Sequence, residues 1–525
     1  MRTAFFGLGL LVGLSRAAAL NKRAVLTDCL AEAGTSIDEL NSKDWEMDTR
    51  PFNSLLAYKP DVVAVPTTTE QIQSAVVCGA KSGYKVTPKC GGHSYASYGL
   101  GGEDGHLVIQ LDRMFAVKLD TKTNIATAEA GTRLGHLAVE LWAQGKRAIS
   151  HGTCPGVGIA GHALHGGFGL SSHTHGLALD WIVGLNIVLA NGTLVHSSAT
   201  ENSDLFWGML GAGSNFGVVT SFELDTFAPP ANLTWFVANL PWKKETSVAA
   251  LEALEDYTLN TMPAELNMRI VGTQRMTQLE GIFHGDKAGL QAALAPLLNK
   301  TGGSLIATGT TDWPGSLQHF ATMSLNQTHP HNEQETFYGK SLELKGLSGT
   351  TAQDFVDYWF DTAKNVSGAW YFQLDLQGGK NSGVWNADHA VSSYAHRDKL
   401  YILQFFFRST AKTVSPEAVK LVDEWTSATV KSLPAAELGM YINYPDLSLN
   451  RTAAHQMYWG GKHAQAPAAE DAAGPQGAVL LPDLHPAGNG GVNWNWNLNG
   501  RLTKDWIRAG VLCIDHITSA SNLHN

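Results

Sequence analysis

Seven glycines and one cysteine, Cys154, share the nineteen residues from His151 to Gly169. Glycine at that density permits positive φ and lets backbone approach something flat or anionic, so a ligand is the expected reason for the loop. A second glycine turn lies in Lys89-Cys90-Gly91-Gly92-His93-Ser94-Tyr95, after the strand-like run Tyr84 to Pro88. Glycines that end a β-α-β unit put free backbone N–H groups where a pyrophosphate could sit. Alternation adds a polar wall. Tyr371, Gln373 and Asp375 share one face of a strand, and Gln404 and Arg408 share a face of another. Polar side chains on otherwise apolar strands suit a sugar-binding surface, although for Gln404 and Arg408 a solvated sheet face is an equal reading.

Other chemistries fit less well. Gly156-Val157-Gly158-Ile159-Ala160-Gly161 spells G-x-G-x-x-G, but His151 to Pro155 precede it where a hydrophobic strand is required. Asp180 comes before the next strand rather than after it, which also argues against a Rossmann dinucleotide site. His151, His162, His165, His173 and His175 match no zinc-site spacing and are expected to be surface or loop histidines. A net charge of −10 and a pI near 6.0 argue against nucleic acid or an anionic membrane surface as partner.

These residues need elements to hold them. With 525 residues, 44% hydrophobic and 16% charged, the chain can bury a large core and should form two or three domains. Val62 to Val65 reads as a buried strand, and Thr67 to Glu70 as a capping box opening a helix through Ala80. Strand-like runs follow at His106–Leu111, Ala116–Leu119 and Ile125–Glu129, then a helix over Thr132–Ala143. Trp181–Ala190 and Thr193–Ser197 flank Asn191-Gly192, a type I′ hairpin signal. Phe227-Ala228-Pro229-Pro230 marks a domain boundary. Beyond it, strands at Trp235–Leu240, Leu266–Val271, Leu279–Phe283, Ala369–Leu376, Tyr401–Phe407 and Met440–Tyr444 alternate with helices at Glu245–Tyr257, Lys287–Leu298 and Pro416–Ser432. That pattern predicts an α+β domain with a largely antiparallel sheet.

Arg2, the apolar run Ala4 to Leu14 and Ala17 to Ala19 form the parts of a secretory signal peptide over residues 1–19. The run is too short to span a bilayer, and no other stretch is long and apolar enough, so a soluble, exported protein is expected. Six sequons, at Asn191, Asn232, Asn299, Asn326, Asn365 and Asn450, agree with that compartment. Five cysteines is an odd number for a secreted chain.

Gly91-Gly92-His93-Ser94-Tyr95 followed by Cys154-Pro155-Gly156-Val157-Gly158 resembles the FAD-linked oxidases related to berberine bridge enzyme. Within them it is similar to the fungal gluco- and chito-oligosaccharide oxidases with doubly attached FAD. The resemblance implies an α+β fold of vanillyl-alcohol oxidase type. A two-part FAD-binding domain would cover residues 20–228, and a substrate domain with a large antiparallel sheet covered by helices would cover 229–445. Residues 446–525 would complete the first domain only in part, because the resemblance stops near Lys462 and an Ala/Pro/Gly-rich, then low-complexity, tail follows.

The family's chemistry carries over by position. His93 would bond the flavin 8α-methyl and Cys154 its C6, with Gly91, Gly92, Ser94, Gly158, Gly161, His162, Gly166, Gly167, Gly217 and Val219 around the cofactor. Tyr444, within Tyr441 to Asp446, maps to the tyrosine proposed to take the substrate's hydroxyl proton, with Asp375 as relay or orienting group. Tyr95, Arg269, Tyr371, Gln373, Gln404 and Tyr441 would line the sugar site. A Cys29–Cys78 disulfide is implied, leaving Cys90 and Cys513 either free and buried or paired with each other. The expected function is a secreted, monomeric oxidase that turns the reducing-end C1 hydroxyl of an oligosaccharide into a lactone, with O2 reduced to H2O2. The alternatives are a related oxidase of a secondary metabolite, or an inactive flavin-binding protein left incomplete by its tail.

Overall fold

In the computed structural model, residues 21–327 and 334–465 are described. The expected signal peptide, Cys513 and nearly all of the atypical tail lie outside the described residues. Strand β1 (Ser36–Asp38) pairs with β2 (Val62–Val65), whose four apolar residues are buried on both faces. Burial on both faces is what a parallel strand between layers requires. With β3 (Val86–Lys89) and β4 (Leu107–Gln110) these form a sheet of order β1-β2-β4-β3, parallel from β2 to β3. Helix α1 (Thr69–Lys81) crosses from β2 to β3 with Ile72, Ala75 and Val76 facing the core. Its cap sits one residue later than the expected box. Thr68 Oγ1 accepts from Gln71 N (3.3 Å), while Gln71 Oε1 accepts from Thr67 N (2.7 Å). Cys78 on this helix is bonded to Cys29, and Cys90 is free and buried.

A second sheet is antiparallel and ordered β5-β6-β9-β7-β8, from β5 (Val117–Asp120), β6 (Ile125–Glu129), β7 (Ile182–Val188), β8 (Leu194–Ser198) and β9 (Val218–Leu224). Helix α2 (Leu134–Gly145) packs on β5, and α3 (Ile159–Ala163) follows the cysteine loop. The β7–β8 turn is not type I′. Leu189 N bonds Thr193 O (2.9 Å) across a three-residue loop in which Gly192 has φ +82° and Asn191 no positive φ. This is the loop with a glycine bulge; type I′ would need both central residues left-handed.

The seven-stranded antiparallel sheet comprises β10 (Leu233–Asn239), β11 (Leu266–Thr273), β12 (Thr277–Phe283), β13 (Ser304–Thr311), β14 (Thr336–Leu344), β15 (Ala369–Leu376) and β16 (Tyr401–Ser409), ordered β13-β10-β12-β11-β15-β16-β14. Neither β13 nor β14 was anticipated. β13 is an edge strand with little buried surface, and Gly339-Lys340-Ser341 interrupts the apolar pattern of β14. Helices α4 (Lys244–Asn260), α5 (Lys287–Thr301), α6 (Gly349–Asp361) and α7 (Pro416–Val430) cover one face. There Trp359 meets Phe372 (4.8 Å between centroids) and Trp425 meets Phe405 (5.2 Å). Truncating such a buried aromatic costs about 3–5 kcal/mol. Because Phe372 and Leu374 face the helices, Tyr371, Gln373 and Asp375 must face the other way.

Met440–Tyr444 is a turn rather than the expected strand. Tyr444 N bonds Tyr441 O (2.8 Å), and Pro445 follows with no N–H to give a ladder. Helix α8 (Arg451–Trp459) is capped by Asn450, whose Oδ1 accepts from Ala453 N (3.0 Å). The asparagines of all six sequons are exposed.

Candidate active site

A cavity of about 530 Å³ lies between the two glycine turns and the helix-free face of the seven-stranded sheet. β3 ends on buried Lys89, whose Nζ donates to Asp48 O (2.6 Å), and the chain then turns at Gly92, φ +68°. A Cβ on Gly91 would lie 2.3 Å from Gly158 N, and one on Gly158 2.2 Å from Cys90 Sγ. Only glycine lets the histidine turn and the cysteine loop touch this closely. The first turn presents His93 to the cavity, its ring stacked on Phe52 at 3.7 Å, and the second presents the free, half-buried Cys154 thiol.

Around them, Gly91, Gly92, Ser94, Gly158, Gly161, His162, Gly217 and Val219 line the cavity. Gly161 leaves open space where a Cβ would be, whereas Ser94 Oγ is committed to its own turn, accepting from Ala96 N and Tyr98 N. His162 Nε2 accepts from Gly152 N (2.9 Å), and burial pulls its pKa down to about 3, so it is a neutral acceptor. Gly166 and Gly167 lie off the cavity wall. Both have positive φ, and Gly167 N and Phe168 N each donate to the Tyr441 hydroxyl at 3.0 Å.

Of the histidines expected at the surface or in loops, His151 and His165 lie in loop or turn segments but are buried, and His162 and His173 are buried on short helices, because the glycine loop folds into the interior. Among the described residues no group of side chains could hold a metal. Asp180, the mock ribose acid, accepts instead from buried Arg397.

The opposite wall is the sheet. Register places Arg269 between Glu280 on β12 and Asp375 on β15. Arg269 grips Glu280 through Nε (2.7 Å) and a terminal nitrogen (2.6 Å). Asp375 is 1% exposed, accepts from Gln373 Nε2 (2.8 Å), and has its pKa raised to about 6 by burial against the opposing pull of Arg269. In the next row Gln373 faces Gln404, whose Nε2 donates to the Tyr95 hydroxyl (3.0 Å) and whose Oε1 lies 3.5 Å from the Tyr371 hydroxyl. Tyr444 stacks on Tyr95 at 5.2 Å. Burial, with Tyr95 and Asp375 adding to it, holds the Tyr444 phenol well above its ordinary pKa. Its hydroxyl makes no hydrogen bond among the described residues and faces the cavity.

Ser341 on β14 fixes this tyrosine turn. Its Oγ accepts from Tyr441 N (3.0 Å) and lies within hydrogen-bond distance of the carbonyls of Tyr441 (3.3 Å) and Tyr444 (3.1 Å). Next to it Lys340, buried, pairs with Asp446 (2.9 Å) and Asp423 (2.8 Å). The turn brings Tyr441 and Tyr444 to one cavity, where strand alternation would have separated them.

Residues 60–198 match the sequence profile of the FAD binding domain. The xylooligosaccharide oxidase of Thermothelomyces thermophilus is 46% identical over 445 residues, 83% of this chain and 89% of that one. The carbohydrate oxidase of Microdochium nivale is 46% identical over 88% of this chain and 94% of its own. A solved structure of Acremonium strictum glucooligosaccharide oxidase, described by its 6-S-cysteinyl, 8α-N1-histidyl FAD, is 38% identical and superposes with a TM-score of 0.84, covering 89% of this chain and all of that one. The chain belongs to the FAD-linked oligosaccharide oxidases.

The oxidase is therefore an FAD-dependent oxidoreductase of α+β fold, and its glycine turns suit the cofactor. Glycine stands where the two turns meet, at Gly91 and Gly158, and an imidazole and a free thiol line the cavity. Four residues escaped sequence reasoning. Glu280 shares a face with Gln278 on β12, so the alternation that found Asp375 would have found it. Phe52, Arg133 and Ser341 carry no local signal, because each acts on a segment distant in sequence.

Proposed function

We propose that the protein oxidises the C1 hydroxyl of the reducing-end sugar of an oligosaccharide to a lactone. The polar strip of Arg269, Gln373, Asp375 and Gln404, facing Tyr444 across a cavity that His93 and Cys154 rim, carries this reading. Amides and an ion triad are donors and acceptors for sugar hydroxyls, while Tyr95 and Tyr371 offer ring faces to a pyranose. His93 and Cys154 would hold FAD, which would supply the hydride acceptor and the link to O2, whose reduction gives H2O2.

The chain's own task is the proton. Tyr444 is a phenol at neutral pH, so it takes the proton of the C1 hydroxyl only by giving up its own, and Asp375, ionised above about pH 6, is the adjacent acceptor. Arg269 stabilises the resulting charges and is itself anchored by Glu280. The N-terminal leader and six exposed sequon asparagines support a secreted glycoprotein.

The test is a panel of xylo-, gluco- and chito-oligosaccharides assayed for H2O2 release and aldonic acid, together with acid precipitation of the protein. Peroxide formation with at least one oligosaccharide and a yellow pellet are expected. Peroxide from none of them, or a colourless pellet, would overturn the reading.

A further inference from the structure

The two turns that present His93 and Cys154 are joined by one buried cation. Residues 132–135, at the start of α2, pair by backbone with the cysteine loop: Leu134 N to Val157 O (2.9 Å), Gly135 N to Pro155 O (3.0 Å) and Ile159 N to Thr132 O (2.9 Å). From this strip Arg133, 2% exposed, sends one terminal nitrogen to two carbonyls, Gly156 O (2.9 Å) and Gly91 O (3.2 Å). The first carbonyl lies two residues after Cys154 and the second two residues before His93. Gly91 and Gly158 also meet with no room for a Cβ, so a glycine contact and a guanidinium together hold the two turns.

Such a cation is expensive to bury, and this one is poorly repaid. Among the described residues its Nε has no hydrogen-bond partner, and buried Asp112, whose charge acts on it, forms no hydrogen bond with either oxygen. Packing alone would favour an apolar residue here. What the guanidinium adds is geometry, since one rigid planar group fixes two carbonyls relative to each other.

We propose that Arg133 is the positioning residue for double attachment of the flavin, fixing the spacing of the two turns so that one ring reaches both side chains. The proposal rests on the reading that His93 and Cys154 are the attachment points. Each bond replaces a ring or methyl C–H and the side chain's N–H or S–H by C–N or C–S. The two electrons and two protons released go to O2, the acceptor of the proposed reaction, giving H2O2.

Peptide mass spectrometry of purified wild type, R133Q and R133K measures the fraction of chains carrying flavin on both side chains, with melting temperature measured alongside. R133Q is expected to lower the doubly linked fraction about threefold or more in favour of singly linked chains, in protein that still melts cooperatively. R133K, which keeps the charge but not the fork, is expected to fall between. An R133Q fraction equal to a doubly linked wild type overturns the proposal and leaves the attachment reading intact, whereas a wild type lacking the double link overturns both. Should R133Q not be recovered folded, R133K decides alone: a lowered fraction at wild-type melting temperature supports the clamp, and an unchanged one overturns it.

Discussion

Tyr444 and Asp375 divide the proton work according to their surroundings. The phenol is pushed up by burial and has no hydrogen-bond partner among the described residues, and the carboxyl, raised to about 6, is the ionised neighbour at neutral pH. Tyr444→Phe is expected to lower kcat about 100-fold or more while leaving flavin content unchanged, checked by stopped-flow reduction and absorbance. Asp375 is a carboxyl held above its ordinary range, so its carboxylate appears as pH rises through about 6. Activity should therefore decline as pH falls below that value. In Asp375→Asn that limb should vanish from the kcat/KM profile, at an overall activity lower by about tenfold or more.

The alternating strands were legible from side-chain type, and β11, β12, β15 and β16 lie where period-two patterning put them. β14 was not legible, yet it holds the catalytic turn: Ser341 reaches a segment 100 residues away in sequence. Ser341→Ala leaves the Tyr441 N–H and two carbonyls short of a partner. The expected cost is about 1–2 kcal/mol of stability, read from denaturant unfolding. A kcat reduced severalfold at unchanged flavin content should accompany it, because the loosened turn no longer fixes the Tyr444 hydroxyl.

Where the glycine-rich part of the chain meets the large sheet, two buried histidines, His173 and His284, and the half-buried His175 give the whole molecule a pH dependence. His175 stacks on Phe227 (3.8 Å), and His284 lies 5.1 Å from His175 and 6.1 Å from Trp313. Burial lowers His173 and His175 to about 4 and His284 to about 3. Folded values below the ordinary one mean that the unfolded chain binds more protons between about pH 4 and 6.5. Their contribution is thus intact above pH 6.5 and is lost as pH falls. Glu343, raised to about 8, and Asp375 act in the opposite sense, so the histidine effect is best read as a difference between proteins. Between pH 7 and 5, His284→Asn should lose about 2 kcal/mol less stability than wild type, measured by chemical unfolding at both values.

Two glycine turns, one carrying His93 and the other Cys154, were enough to suggest a flavin oxidase, and alternation marked the polar-faced strand, because motif and alternation are local properties. Only the tertiary structure decided that Gly91 touches Gly158, that Arg133 spans the two turns, that Glu280 anchors Arg269, and that Tyr441–Tyr444 bends rather than extends. Each of these is a contact between segments far apart along the chain. Its energy depends on distances that the fold sets, and no local pattern of residue types encodes them.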